Sequence, residues 1–512
     1  MGQSVALAFG QVLDPTVLAV IAAAVMYGTL FGSIPGLSAT MAVALIVPLT
    51  YFLSPLAALA AVVTLEACAI SAGDIPSALV RIPGTPASAA YVDDLYHLAR
   101  RGEYERALGV CIFFSAIGGL FGVAVLILFA RLFARLATLF SVVEYFWLYV
   151  IGLGCAVVVS RGSALKGAFS LLLGLLFSTV GLSPVHTAAR FTFGRPELYQ
   201  GISFIPALVG LFGLSEVLRN VRTLGTPATV VQLAAQAPPS SLPGGLTHSV
   251  RAMFGAAIEL LWQRPRQVLQ ASAIGTLIGI LPGAGADIAA WVSYGISKQG
   301  SPKPEEYGRG SLEGVADAGA ANNSALAGAW VPALTLGIPG DSITAIVLGI
   351  MMMKNLQPGP ESFDKQAVLV YSLYLVFVLA NFALLPAGFL AVRASGTLIR
   401  VPRHTLLPVI VLFCVLGSYA IAGSYFDVGI MLVMGVLGFV LERWGVPLGP
   451  IVLGIILGGP LEERFVQAMT ASQGSLTVFF ARPLAAALGL VALGVWLLPA
   501  VSIWRFRRRS LF

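Results

Sequence analysis

Long apolar runs separated by short polar connections fill most of the chain. The segments 107–130, 366–392, 405–426 and 483–503 contain no charged residue. A helix that crosses the hydrocarbon core of a bilayer needs about 20 mostly apolar residues. Each of these runs is long enough, so each predicts a transmembrane helix.

Further apolar stretches occur along the chain, and several are interrupted by glycine or proline. The interruptions predict pieces that enter the bilayer without crossing it as one helix. We therefore expect an all-α polytopic membrane protein with about ten to twelve transmembrane helices plus re-entrant or broken helices. Composition agrees, because 58% of the 512 residues are hydrophobic and 10% are charged, whereas soluble domains carry about 25% charged residues.

A change in pattern divides the chain near its middle. The sequence between Arg222 and Arg251 is uncharged and includes AQAPPSSLPGG at 235–245, and proline and glycine at this density oppose both helix and strand. We expect a first transmembrane repeat at 1–222, a linker at 223–250, and a second transmembrane repeat at 251–512 that ends in the basic tail WRFRRR.

The two halves resemble each other in sequence. Three pairs match in the same order: GSIPGLSATMA (32–42) with GILPGAGADIA (279–289), IPGTPASA (82–89) with IPGDSITA (338–345), and GISFIPALVGLFGLSEVL (201–218) with GVPLGPIVLGIILGGPLEE (445–463). Their offsets of 247, 256 and 244 residues are nearly constant. This pattern predicts an internal duplication, which is a recurrent build among secondary transporters.

Four Pro-Gly pairs stand inside apolar stretches, at Pro35, Pro83, Pro282 and Pro339. Proline disrupts the helix before it, and the following glycine permits turns that are closed to other residues. Non-helical backbone at bilayer depth persists only where protein or a water-filled cavity covers it. Each pair therefore predicts a broken helix. The next helical piece begins with unpaired amides at a positive dipole end, which attracts carboxylates.

A plainer interpretation is that these pairs are interfacial turns or sites of close helix packing. We favour a binding site, because the pairs recur at matched positions in the two halves. The residues that we expect to bind the substrate are Gly36, Ser38, Thr40, Arg81, Gly84, Thr85, Ser88, Gly283, Gly285, Gly340 and Ser342.

Ionisable side chains within spans are costly and are functional candidates by default. Glu66, Asp74 and Arg81 precede the second Pro-Gly pair. Arg81 could pair with Asp74 or hold a substrate carboxylate as a bidentate fork. Sodium, like other hard cations, prefers oxygen ligands. The residues that we expect to bind the coupling cation are Asp74, Asp287, Asn322, Asn323 and Asp341.

Other features argue against several classes of protein. The net charge of +7 could suggest nucleic acid, but the basic residues lie in short loops, where they orient a protein in membrane lipid. The chain has no C-x-x-C pair and no P-loop motif, so neither a redox or metal site nor ATP hydrolysis is expected. We expect no enzyme activity, no nucleic-acid partner, and no cofactor beyond a sodium ion or proton. Glu216, at a span end, is interpreted as a helix-end or interface residue.

A family resemblance rests on several runs: GSIPGLSATMA (32–42), RIPGTPASAAYVDDLYHLARRGEYERAL (81–108), GLSPVHTAARFTFGRPELYQGISFIPALVGLFGLSEVL (181–218), GILPGAGADIAAWVSYGISK (279–298), YGRGSLEGVADAGAANNSALAGAWVPALTLGIPG (307–340) and LQPGPESF (356–363). With them the chain resembles the large membrane subunit of the tripartite tricarboxylate transporters, the TctA family. Departures from the family pattern include Asp74, where a small serine is usual, and Gly319, where a glutamate is usual.

The resemblance implies a secondary active importer in the bacterial inner membrane. It would move small organic carboxylates by alternating access, driven by a sodium or proton gradient. It also implies two partners, a small four-helix membrane subunit and a periplasmic solute-binding protein that delivers the substrate. An anion channel or facilitator without ion coupling is the alternative.

Overall fold

The computed structural model describes residues 2–159, 163–183, 188–223, 246–282, 285–398 and 403–509. Helices dominate these residues, and the strands among them are β1 (Gly181–Leu182) and β2 (Ala189–Arg190), which pair antiparallel. The predicted all-α membrane fold, with broken helices, is confirmed.

The helices before residue 224 begin and end as follows: α1 (Gly2–Val12), α2 (Pro15–Ser33), α3 (Ala39–Thr50), α4 (Pro55–Ala72), α5 (Asp74–Val80), a 3-10 turn (Ser88–Ala90), α6 (Val92–Arg100), α7 (Tyr104–Ala137), α8 (Val142–Val159), α9 (Ala164–Ser178), a 3-10 turn (Pro196–Leu198), α10 (Phe204–Leu208), a π-helical segment (Val209–Leu214) and α11 (Ser215–Thr223).

The helices after residue 245 are α12 (Leu246–Gln263), α13 (Pro265–Ile280), α14 (Gly285–Gly300), a 3-10 turn (Pro304–Glu306), α15 (Leu312–Leu336), α16 (Ser342–Met353), α17 (Ser362–Lys365), α18 (Ala367–Leu398), α19 (Arg403–Ala422), α20 (Tyr425–Arg443), α21 (Gly449–Ala471), α22 (Val478–Ala481) and α23 (Pro483–Arg509). Most of the predicted linker lies outside the described residues.

Six helices in the described part of the chain are long and apolar enough to cross a membrane. They are Pro15–Ser33, Pro55–Val80, Tyr104–Ala137, Phe204–Arg222, Ala367–Ser395 and Tyr425–Arg443. Shorter apolar helices of 10–17 residues accompany them. These helices agree with a polytopic membrane protein, and the number of ten to twelve spans stays a prediction.

Glycines let the helices around the breaks pack closely. A Cβ on Gly28 or Gly32 of α2 would lie 2.5 or 2.3 Å from carbonyl oxygens of α4. A Cβ on Gly275 or Gly279 of α13 would lie 2.3 or 2.2 Å from carbonyl oxygens of α15. Small residues at such contacts allow two backbones to approach. The two helix pairs therefore pack alike, and the two-repeat organisation stays a prediction.

Hydrogen bonds tie loops on opposite sides of the linker together. One carboxylate oxygen of Asp94 accepts bonds from the backbone N–H groups of Gly308, Gly310 and Ser311, each at 2.8 Å. Its other oxygen accepts a bond of 2.6 Å from the hydroxyl of Tyr294. Because a buried carboxylate is stable only when its oxygens are satisfied, this cluster fixes α6 against the second half of the chain.

Candidate functional site

A cavity of about 550 Å³ is lined by residues from all four helix breaks. Residues 36–40 and 83–86 come from the first half of the chain, and residues 285, 286, 288 and 341–343 come from the second half. Residues of the spans Pro55–Val80, Phe204–Arg222 and Tyr425–Arg443 complete its wall. The interrupted segments thus meet at one place between the halves.

The first break separates α2 from α3. Gly36 adopts a φ of 85°, which an L-residue with a side chain rarely adopts. The carbonyl of Gly36 accepts a hydrogen bond of 3.0 Å from the Nδ2 of Asn220. Ser38 is the N-cap of α3, and its hydroxyl accepts a bond of 3.2 Å from the N–H of Met41. The break is held open by these contacts, and Gly36, Ser38 and Thr40 line the cavity.

The second break follows α5 and is braced by hydroxyl groups. The Oγ of Ser88 accepts a bond of 3.1 Å from the backbone N–H of Thr85 and donates one of 2.9 Å to its carbonyl. The indole of Trp291, from α14, donates to the carbonyl of Pro86 at 3.3 Å. Gly84 rests on Gly73, where a Cβ would lie 2.5 Å from backbone atoms. Gly84 and Thr85 line the cavity, whereas Ser88 supports Thr85 from behind.

The third break separates α13 from α14. Gly285, at the start of α14, has a φ of 59° and lines the cavity. A Cβ on Gly285 would lie 3.1 Å from the Cβ of Asp341, so the third and fourth breaks are in contact. Gly283 and the side chain of Asp287, which we predicted to bind substrate and cation, lie outside the described parts of the structure.

The fourth break leads into α16 through a capping box. The carboxylate of Asp341 accepts a bond of 2.7 Å from the N–H of Thr344, whose hydroxyl accepts one of 2.8 Å from the N–H of Asp341. Asp341 and Ser342 line the cavity. Gly340 does not line it and packs against Ala329, where a Cβ would lie 2.6 Å from the alanine Cβ.

Several residues predicted for the site lie away from the cavity. Arg81 is 55% exposed and pairs with Asp93 at 2.6 Å, not with Asp74. The carboxylate of Asp74 accepts bonds from the hydroxyl of Tyr91 at 2.9 Å and from the thiol of Cys111 at 3.0 Å. Like Arg81, Asp74 does not contribute to the cavity lining.

The two departures from the family pattern meet at one cysteine. Asp74 is bonded to Cys111, and a Cβ on Gly319 would lie 3.3 Å from the sulfur of the same residue. Asp74 and Gly319 therefore both lie next to the sulfur of Cys111.

The adjacent asparagines of α15 have different surroundings. Asn322 lines the cavity and is 3% exposed. Asn323 donates from its Nδ2 to the carbonyl of Ser115 at 2.9 Å and to the Oδ1 of Asn381 at 2.8 Å, which fixes α15 to α7 and α18. Of the two amides, Asn322 is the one that faces the cavity.

The sequence interpretation missed an ion-pair group formed by Glu216, Arg219 and Glu442, all of which line the cavity. Arg219 donates to Glu216 and lies 3.9 Å from Glu442. The sequence does indicate this group, because Glu216 and Arg219 stand one helical turn apart in an apolar span, where charged residues are functional candidates. The π-helical segment Val209–Leu214 just before them is a second signal, because such segments are frequent at functional sites.

The described lining of the cavity offers oxygen ligands. No group of three or more His, Cys, Asp or Glu side chains that could hold a metal occurs in the described residues. Hydroxyls, amide groups, helix starts and carboxylates can instead bind a carboxylate anion and a hard cation.

Comparison with known proteins gives the same assignment as the motifs. The chain is 32% identical over 99% of its length to an uncharacterised 52.8 kDa protein from the TAR-I ttuC' 3' region of Agrobacterium vitis, covering 98% of that protein. A second uncharacterised A. vitis protein, from the TAR-II ttuC' 3' region, is 36% identical over 46% of this chain and 98% of its own length. No solved structure matches. The model of the tripartite tricarboxylate transporter TctA family matches residues 18–453. This multi-pass membrane protein therefore belongs to the TctA family and is a tricarboxylate transporter subunit.

Proposed function

We propose that this chain is the transport subunit of a secondary active importer of small organic carboxylates and that the shared cavity is its substrate site. The convergence of all four helix breaks on one cavity is the observation that supports this proposal. At about 550 Å³, the cavity has the size of a small-molecule site.

The two helix breaks of the first half suit an anion. The breaks there present Gly36, Ser38, Thr40, Gly84 and Thr85, which are uncharged and small. The first amides of α3 have no acceptor within the helix, and the dipole end there is positive. Hydroxyls and amides can therefore donate to a substrate carboxylate without a permanent charge that would hold it too tightly to release.

Arg219 is the guanidinium among the described cavity residues and supplies a full positive charge. It is 52% exposed, so its bond to Glu216 can be exchanged for a bond to an incoming carboxylate. A guanidinium binds a carboxylate with two parallel hydrogen bonds. We therefore assign to Arg219 the charge recognition that the sequence suggested for Arg81.

The proposal extends to the assembly and its energy source. Transport proceeds by alternating access in the bacterial inner membrane, coupled to a sodium or proton gradient. A small four-helix membrane subunit completes the membrane complex, and a periplasmic solute-binding protein delivers the substrate. The substrate is moved and not chemically changed.

A reconstituted uptake screen tests the proposal. The chain, together with the products of its neighbouring genes, is placed in proteoliposomes and offered a panel of labelled di- and tricarboxylates with and without a sodium gradient. We expect accumulation of at least one carboxylate above equilibrium, lost when both sodium and proton gradients are collapsed. Equilibration that persists without any gradient would instead establish a channel or facilitator.

A further inference from the structure

Glu66 is a buried carboxyl group at the cavity, and one of its oxygens has no hydrogen-bond partner among the described residues. It lies within the span Pro55–Val80, is 1% exposed and contributes to the cavity lining. Its Oε2 is fully buried and accepts no hydrogen bond from the described residues. The Nε1 of Trp330 lies nearby but is likewise outside hydrogen-bond geometry. A buried carboxyl group with a free oxygen is costly, so a ligand that satisfies it is expected.

Two further oxygen-bearing side chains line the cavity with Glu66. Asn322 is 3% exposed and makes no hydrogen bond to the described residues. Asp341 lines the same cavity as Glu66. One oxygen of Asp341 caps α16, while its Oδ2 is near Gly285 of the third break. Two carboxyl groups and an amide oxygen form a ligand set that suits a hard cation and would not attract an anion.

The charges around the cavity lead to the same conclusion. Its described lining holds four carboxyl groups, Glu66, Glu216, Asp341 and Glu442, and one guanidinium, Arg219. When these carboxyl groups are ionised, a carboxylate substrate enters a site with excess negative charge, which Coulomb repulsion disfavours. A cation bound beside Glu66 and Asp341 removes part of this repulsion before the anion binds.

We propose that Glu66, Asn322 and Asp341 form a sodium site that must be occupied before the carboxylate substrate binds. The inference rests on the proposed transport function and adds the position of the coupling ion and the order of binding. Unpaired carbonyls at the helix breaks can complete the oxygen shell, as in transporters with discontinuous helices.

Sodium binding to the purified full-length chain tests the site without partners or substrate. Thermal unfolding is followed while sodium chloride replaces choline chloride at constant ionic strength. A ligand that binds the folded state raises the unfolding temperature until the site saturates. We expect a saturating rise with sodium and a smaller one with potassium. In Glu66→Gln, which keeps the side-chain shape, the apparent sodium affinity should fall by about tenfold or more.

Asp74→Asn is the matched control. Asp74 is 2% exposed and lies in the same span as Glu66, but its oxygens are bonded to Tyr91 and Cys111 away from the cavity. This variant should bind sodium as the unaltered chain does. Should Glu66→Gln fail to fold, Asn322→Ala removes a neutral ligand and should also weaken sodium binding by about tenfold.

Equal sodium affinity in the unaltered chain, Glu66→Gln and Asn322→Ala would overturn the proposal, as would stabilisation that depends on pH but not on sodium. The uptake screen reports separately on the proposed function. Carboxylate accumulation without sodium binding would reject the cation site and leave the transport function standing. Sodium binding without any carboxylate uptake would reject the transport function.

Discussion

The second and fourth helix breaks share the letters Ile-Pro-Gly, at 82–84 and 338–340, yet they present different chemistry to the cavity. The second continues into the 3-10 turn Ser88–Ala90 and offers the hydroxyl of Thr85. The fourth continues directly into α16 and offers the carboxylate of Asp341. On the proposed function, the residue after the glycine decides whether a break favours an anion or a cation.

The glycines of the two breaks, Gly84 and Gly340, have the same structural role. Gly84 packs on Gly73, and Gly340 packs on Ala329, each too closely for a Cβ. A bulky residue at either position would displace the backbone. A loss of uptake in such a variant would therefore reflect disturbed packing and would not test substrate binding. The comparison is better tested with the residues that follow.

The largest effect is expected for Asp341→Asn. Asparagine caps a helix about as well as aspartate, so stability should change by less than about 0.5 kcal/mol. Loss of the charge should lower the sodium-driven uptake rate roughly a hundredfold. The control is Asp14→Asn, at the exposed N-cap of α2. If Asp341→Asn transported as fast as Asp14→Asn, the fourth break would have no role in cation binding.

A smaller effect is expected for Arg219→Gln. Hydrogen bonds to charged groups are worth about 1.5–3 kcal/mol, so the KM for the carboxylate should rise about tenfold or more. Arg106→Gln is the control, because Arg106 also pairs with a glutamate three residues away, but at the exposed surface. An unchanged KM in Arg219→Gln would remove this guanidinium from substrate recognition.

Thr85→Val tests whether the second break contacts the carboxylate substrate. The variant keeps the shape and removes one neutral hydroxyl, which also accepts a bond of 3.1 Å from the N–H of Ser88 and donates one of 3.3 Å to its Oγ. A neutral hydrogen bond is worth about 1 kcal/mol, so we expect a KM about fivefold higher with little change in maximal rate. The control is Thr335→Val, since Thr335 is buried and bonds only within its own helix, to Val331. Equal KM values in the two variants would show that the second break does not touch the substrate.

The smallest effect is expected for Arg81→Gln. Arg81 and Asp93 are 55% and 47% exposed, and exposed ion pairs contribute about 0–1 kcal/mol. Uptake should change by less than about twofold. A tenfold loss in initial uptake rate would restore Arg81 as the substrate clamp and contradict the assignment to Arg219.

The breaks could be predicted from the sequence because proline and glycine act locally. Proline removes a donor and glycine permits a positive φ wherever they stand, so the four interruptions follow from the letters alone. Gly36, Ser38, Gly84, Thr85 and Gly285 therefore line the cavity as the motif positions suggested.

The partners of charged side chains could not be predicted in this way, because they depend on which helices pack together. From the sequence alone, either Asp74 or Asp93 could pair with Arg81. In the structure Arg81 has a left-handed conformation with a φ of 56°, which directs the chain away from the helix that carries Asp74. Glu442 reaches Arg219 only because α20 packs along the 204–223 helix.

The central claim is that the breaks of the two halves form one substrate site. A cryo-electron microscopy structure of the chain in a lipid nanodisc, with sodium and the carboxylate identified by the uptake screen, tests it most directly. We predict carboxylate density in contact with residues 36–40 and 83–86, and a smaller feature between Glu66 and Asp341. Carboxylate density outside the cavity, or breaks that do not share a cavity, would contradict the account.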